Sequence, residues 1–102
     1  MTNKKKSSAR KFLEKSLGKT LTLGSLINTI RIGEEMTQEE FASLLGISKS
    51  HLCDIEKGRK LLSAERAYNF AKILVYSEKQ FVRLALQQIL DSSGIILKVD
   101  VA

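Results

Sequence analysis

A helix begun at Ser48 turns Lys49, Ser50, Cys53, Asp54 and Lys57 to one side, because Leu52 and Ile55 hold its apolar side. These outward groups suit the edges of base pairs. An ammonium can reach the two acceptors of guanine, a hydroxyl is permissive, and a carboxylate can accept from the cytosine amino group. Lys57, Arg59 and Lys60 follow as a cationic cluster suited to phosphates, contacts that add affinity without reading sequence. Gln38, at the start of a preceding helix, joins that helix end's free amides as a phosphate holder, and Ser48 and His51 complete the candidate phosphate set.

Two short helices must position this face. In TQEEFASLLGISKSHLCDIEKG, residues 37 to 58, Ala42 is small where the helices cross, and Gly46 allows the positive φ of a tight turn. Phe41, Ile47, Leu52 and Ile55 close the wedge between them. The pattern is that of a helix-turn-helix presenting the outer face of its second helix. Thr37 with Glu40 forms a capping box for the first helix, Ser48 caps the second, and Gly58 stops it.

Three further helices are expected around this pair. Leu23, Leu26, Ile27 and Ile30 give one buried face to a helix from about Thr22 to Glu34. Ser63 opens another, with Ala67, Phe70, Ala71 and Leu74 as its core stripe and Glu65 in its first turn. Ser77 and Gln80 suggest a capping box for the last, which carries Phe81, Val82, Leu84, Ala85, Leu86, Ile89 and Leu90. That is more apolar surface than one stripe needs, so a partner chain is expected over it. After Ser92, Ser93 and Gly94, Ile95, Leu97, Val99 and Val101 alternate with Ile96, Lys98 and Asp100, the period of a strand with one buried face. The rest of the chain shows no second strand pattern. A lone strand needs an edge to join, and a second copy across a two-fold axis supplies one. Candidate dimerisation residues are therefore Phe81, Val82, Ala85, Leu86, Ile89, Ile95, Leu97, Val99 and Val101.

The chain of 102 residues, 43% hydrophobic and 27% charged, suits one small domain: a basic arm at 1–20, the helical body at 21–91 and the strand at 92–102. Lys4, Lys5, Lys6, Arg10, Lys11, Lys15 and Lys19 face only Glu14 in the arm, so the arm accounts for the whole net charge of +6. The body is balanced and must bind DNA by local clusters. The arm fits added phosphate attraction, a minor-groove reach or a solvated tail, and Phe12, Leu13 and Leu17 before Gly18 suggest a weak helix within it. Its apolar stretch is broken by Glu14, Lys15 and Lys19, unlike a signal peptide, and no apolar run nears the roughly 18 residues of a membrane span. A cytoplasmic protein without membrane contact is expected.

One cysteine excludes an intrachain disulfide framework, and His51 with Cys53 is too few ligands for zinc. No glycine loop for phosphates, activated nucleophile or pocketed carboxylate pair is visible, so neither an enzyme nor a cofactor is expected.

MTQEEFASLLGIS followed by IEKGRK resembles the Xre/Cro family, that of the lambdoid phage repressors, over residues 22 to about 75. The resemblance implies an all-α fold, a five-helix lambda-repressor-like bundle, outside which lie the arm and the C-terminal β-strand for dimerisation. It implies base readout by Lys49, Ser50 and Asp54, and a partly buried ion pair, Arg31 with Glu56, tying the first helix to the recognition helix. Glu35 departs from the family where glycine commonly precedes the second helix, which suggests a turn built on Gly33. Leu62 replaces a frequent proline before the fourth helix and leaves the loop from Arg59 less restricted. The expected function is a homodimeric, sequence-specific repressor of double-stranded DNA. Its rivals are an antitoxin gripping a toxin protein by strand addition while regulating its own operon, and a controller of a restriction system.

Overall fold

Every helix among the described residues begins at a hydroxyl side chain. The computed structural model describes residues 21–102, so the basic arm and the helix expected within it lie outside the described residues. Thr22, Thr37, Ser48, Ser63 and Ser77 cap α1 (Leu23–Gly33), α2 (Gln38–Leu45), α3 (Lys49–Glu56), α4 (Ala64–Leu74) and α5 (Glu78–Ser92). In each, the hydroxyl accepts from the backbone N–H three residues on, satisfying a donor that the helix leaves orphaned. Thr22 with Ser25 and Thr37 with Glu40 complete reciprocal boxes. The box expected at Ser77 is half formed: Gln80 Oε1 instead accepts from Arg83 at 3.3 Å, and Gln80 Nε2 is buried without a partner among the described residues.

The helix ends are equally uniform. Each closes with a backbone N–H reaching the carbonyl five residues back: Met36 to Arg31, Ile47 to Ala42, Arg59 to Asp54, Tyr76 to Ala71 and Ile95 to Leu90, at 2.8–3.2 Å. This closure needs a left-handed residue just before the donor. Gly46, Gly58 and Gly94 meet that need at φ of 75°, 76° and 75°, while Glu35 and Val75 meet it at 57° and 56° with side chains that resist it. The turn before α2 is thus built on Glu35, not on Gly33, which keeps a helical φ inside α1. The geometry a glycine would take is retained, because Met36 must turn back to pack on the core.

Phe41, Phe81, Leu23, Ile27, Leu52 and Ile55 are the largest fully buried side chains, drawn from α1, α2, α3 and α5. α4 and α5 pack together most extensively; α1 crosses α3 and α5, and α2 touches α3 and α4. Leu62 is buried in the core and anchors the α3–α4 loop from within. Burial also corrects the reading of α5. Phe81 and Ala85 join Leu84 in the chain's own core and are unavailable to a second chain, whereas Val82, Leu86, Ile89 and Leu90 are half-buried.

Residues 95–102 form no strand, and the described residues contain none. A ladder needs a partner backbone, which the described residues do not offer. The Gln87 side chain takes that place: its Nε2 donates to the Leu97 carbonyl at 2.8 Å and its Oε1 accepts from the Val99 N–H at 2.8 Å.

Candidate nucleic-acid interface

The orientation of α3 is set at both of its ends. At its start, Gly46 turns the chain and Ser48 Oγ accepts from the His51 N–H at 3.0 Å. Among the described residues nothing lies within 4 Å of where a Gly46 side chain would stand, so backbone conformation and not space demands glycine there. Leu52 and Ile55 then pin one side of α3 into the core. Lys49 and Ser50 remain exposed, with His51, Cys53 and Asp54 half-buried beside them.

At its other end, Glu56 is a hub. Its side chain is only 4% exposed and accepts from three residues on two other helices. Arg31 of α1 donates through Nε to Oε2 at 2.8 Å and through Nη2 to Oε1 at 3.3 Å. Asn28 of α1 and Gln38 of α2 each donate to Oε1 at 3.0 Å. Arg31, itself 16% exposed, also donates through Nη1 to the Met36 carbonyl at 3.0 Å. Burial opposes ionisation of Glu56, but the hydrogen bonds from Arg31, Gln38 and Asn28 with the charge of Arg31 hold its carboxyl below the usual range. A buried pair of this kind fixes orientation more dependably than it adds stability.

Gln38 is therefore turned toward Glu56, and its carbonyl oxygen carries no phosphate-seeking proton. The helix start it occupies still offers backbone N–H groups. Asp54 is drawn to Arg59, whose Nη2 and Nε lie 3.0 and 3.1 Å from Oδ1. Arg59 is 58% exposed, so this contact orients the guanidinium at the rim and contributes little stability. Lys57 caps α3, and Lys60 stands with Arg59 on the loop beyond, all exposed.

Three participants escaped the sequence reading. Asn28 completes the hub, and its spacing of three from Arg31 on α1 was the available signal. Gly24 lets α1 approach α3: an added methyl would overlap the Ile55 carbonyl oxygen and lie 3.2 Å from that of Glu56. A glycine within an apolar helical pattern is the usual sign of such an approach. Arg66 of α4 adds a cation near His51. Burial lowers the His51 pKa first, and the charges of Arg66 and Lys60 lower it further against the opposing pull of Asp54. α3, its trailing loop and the start of α4 thus gather Lys49, Lys57, Arg59, Lys60 and Arg66 around one presented helix face.

Among the described residues no cluster of three or more His, Cys, Asp or Glu is placed to hold a metal, and no helix is long and apolar enough to cross a membrane. Residues 24–86 match the family described as helix-turn-helix domain. The chain is also 33% identical over 72 residues to the "ImmF control region 10 kDa protein" of Bacillus phage phi105, a stretch covering 71% of this chain and 79% of that one. No solved structure matches it.

Proposed function

Because the chain belongs to the Xre-like helix-turn-helix family of DNA-binding transcription regulators, we propose that it is a homodimeric repressor of a two-fold symmetric operator. One α3 enters the major groove of each half-site, with half-sites about one helical turn, roughly 34 Å, apart. A bound dimer occludes the promoter, which requires no catalysis. The observation that carries this reading is the exposed face of α3, with Lys49 and Ser50 at its leading end and a cationic rim behind. The name of the phage relative, a control region protein, favours regulation as well.

Lys49 and Ser50 read base edges. Asp54 joins them through the carboxylate oxygen not engaged by Arg59. Lys57, Arg59 and Lys60 bind phosphates, with Ser48, His51 and the α2 start at Gln38 beside the backbone. Arg31 and Glu56 hold the reading helix at its angle.

Selection from random duplexes at fixed salt tests the assignment. The wild type should yield a symmetric site, and Lys49→Ala and Asp54→Ala should change the preferred bases. Arg59→Ala should weaken every sequence and reduce the salt slope by about one. Unchanged preferences in both of the first two variants would remove the base-reading role. The toxin-binding alternative assigns the same C-terminal residues a different occupant, and a chain that is monomeric while binding DNA would favour it over the homodimer.

A further inference from the structure

We propose that residues 96–102 of two copies pair as antiparallel strands in a single register, with Val99 facing its counterpart on the two-fold axis and Lys98 of each copy opposite Asp100 of the other. The inference rests on the homodimer reading and specifies where, and in what register, the copies meet.

Gln87 prepares the segment for this pairing. A residue of a parallel strand bridges the carbonyl and N–H that flank one residue of its neighbour, and the Gln87 amide does the same across Lys98, between Leu97 O and Val99 N. It acts as a one-residue surrogate strand. In an extended chain, backbone groups and side chains both alternate. Residues 97 and 99 thus turn their polar groups toward α5, and Ile96, Lys98 and Asp100 turn theirs outward. Those outward groups carry no hydrogen bond among the described residues. From Lys98 on, side-chain exposure follows the same alternation: Val99 and Val101 are half-buried and Lys98 and Asp100 exposed, while Leu97, at 64% exposed, is covered only through its carbonyl and Ile96 is 98% exposed. One edge of the segment is occupied and the other is open.

Charge then chooses among the registers available to two copies on that edge. An axis at Lys98 sets two lysines directly opposite, which disfavours pairing. An axis at Leu97 sets Lys98 against Ile96 and leaves Asp100 with no counterpart. An axis at Val99 makes two reciprocal Lys98–Asp100 pairs on the outer face and sets Leu97 against Val101 on the inner face, over α5. Lys98 and Asp100 make no ion pair within the described residues, so both are available. The occupant that this edge fits must carry an acidic and a basic residue two apart in reverse order, and this segment, read antiparallel, does so itself. A second copy is therefore the partner. Gln87 is the positioning residue that presents the edge.

Cysteine cross-linking of the full chain in a Cys53→Ser background tests the register. Directly opposed residues of the non-hydrogen-bonded kind lie about 4.5 Å apart at Cα, within reach of a disulfide. In a glutathione buffer, Val99→Cys should form inter-chain disulfides at least about tenfold more than Leu97→Cys, while Leu97→Cys mixed with Val101→Cys should cross-link. Lys98→Asp and Asp100→Lys should each weaken dimerisation about tenfold, and the double variant should return to within about twofold of wild type. Circular dichroism of every variant checks folding. Preferred cross-linking of Leu97→Cys, or no Val99→Cys cross-link in a chain that sediments as a dimer, overturns the register and leaves the homodimer standing. A wild-type chain that sediments as a monomer at concentrations where it binds DNA overturns both.

Discussion

Replacing Glu56 by glutamine should destabilise the domain nearly as much as replacing it by alanine. Four donor contacts from Arg31, Asn28 and Gln38 converge on this carboxylate, and every one of its partners faces it as a donor. A glutamine keeps the shape but leaves the mostly buried guanidinium without a counter-charge, and its NH₂ group finds an acceptor only if the Asn28 or Gln38 amide turns over and gives up its own donation. Removing one partner of a buried ion pair costs about 3–5 kcal/mol. Arg31 retains the Met36 carbonyl and some access to water, which places the expected loss near the lower bound, about 3 kcal/mol. In a domain of this size each kcal/mol shifts Tm by about 4–8 °C. Urea unfolding of the full chain followed by circular dichroism reads the difference directly. pH supplies a second measurement. The folded Glu56 pKa is depressed, so its contribution is present above the unfolded carboxyl value of about 4.3 and is lost as pH falls through the folded one. The gap between wild type and Glu56→Gln should therefore narrow below about pH 4.3. A glutamine variant within about 0.5 kcal/mol of wild type at pH 7, where surface changes usually fall, would refute the hub.

Gly24→Ala should cost about 2 kcal/mol despite the better helix propensity of alanine, because the added methyl meets the α3 backbone, which cannot rotate away. Thermal melting checks this, and a stabilised variant would show that α1 and α3 separate freely. Val75→Gly should stabilise by about 1 kcal/mol, since a β-branched residue 88% exposed at φ 56° loses strain and almost no packing; its DNA affinity should not change. If a phosphate lies against His51, binding raises a pKa that burial, Arg66 and Lys60 depress in the free protein against Asp54. Affinity should then grow as pH falls from 8 to 6, and His51→Gln, titrated by fluorescence anisotropy, should lose that dependence.

Much of the architecture was legible because its signals are local. Thr37, Ser48, Ser63 and Ser77 each cap a helix by contacting an amide three residues away, and a contact that short survives any tertiary arrangement. The left-handed Glu35 and Val75 were not legible. Neither residue type favours that conformation; it is imposed by the need to return Met36 and Tyr76 to the core. In α5, apolar residues around most of the circumference conceal which stripe is internal, so spacing does not separate the buried Phe81 and Ala85 from the half-buried Val82 and Leu86. The alternation of residues 95–101 was visible, whereas the Gln87 bridge was not, since a side-chain amide standing in for a strand leaves no periodic trace. At the interface, outward faces followed from helical spacing. The engagement of Gln38 with Glu56 and of Asp54 with Arg59 depended on distances between elements that no spacing encodes.

The uniform punctuation of the helices bears on how quickly the chain folds. A hydroxyl opens each of the five and a five-residue return closes it, so every helix is delimited by groups within a turn of its own ends. Little of the search for boundaries then depends on distant segments meeting, and loop-closure entropy weighs lightly on the transition state. Helical domains dominated by such local contacts fold in microseconds to milliseconds. A chain released from DNA and transiently opened regains its reading surface faster than proteins typically find one another by diffusion at cellular concentrations, so the duration of control is governed by dissociation and not by refolding.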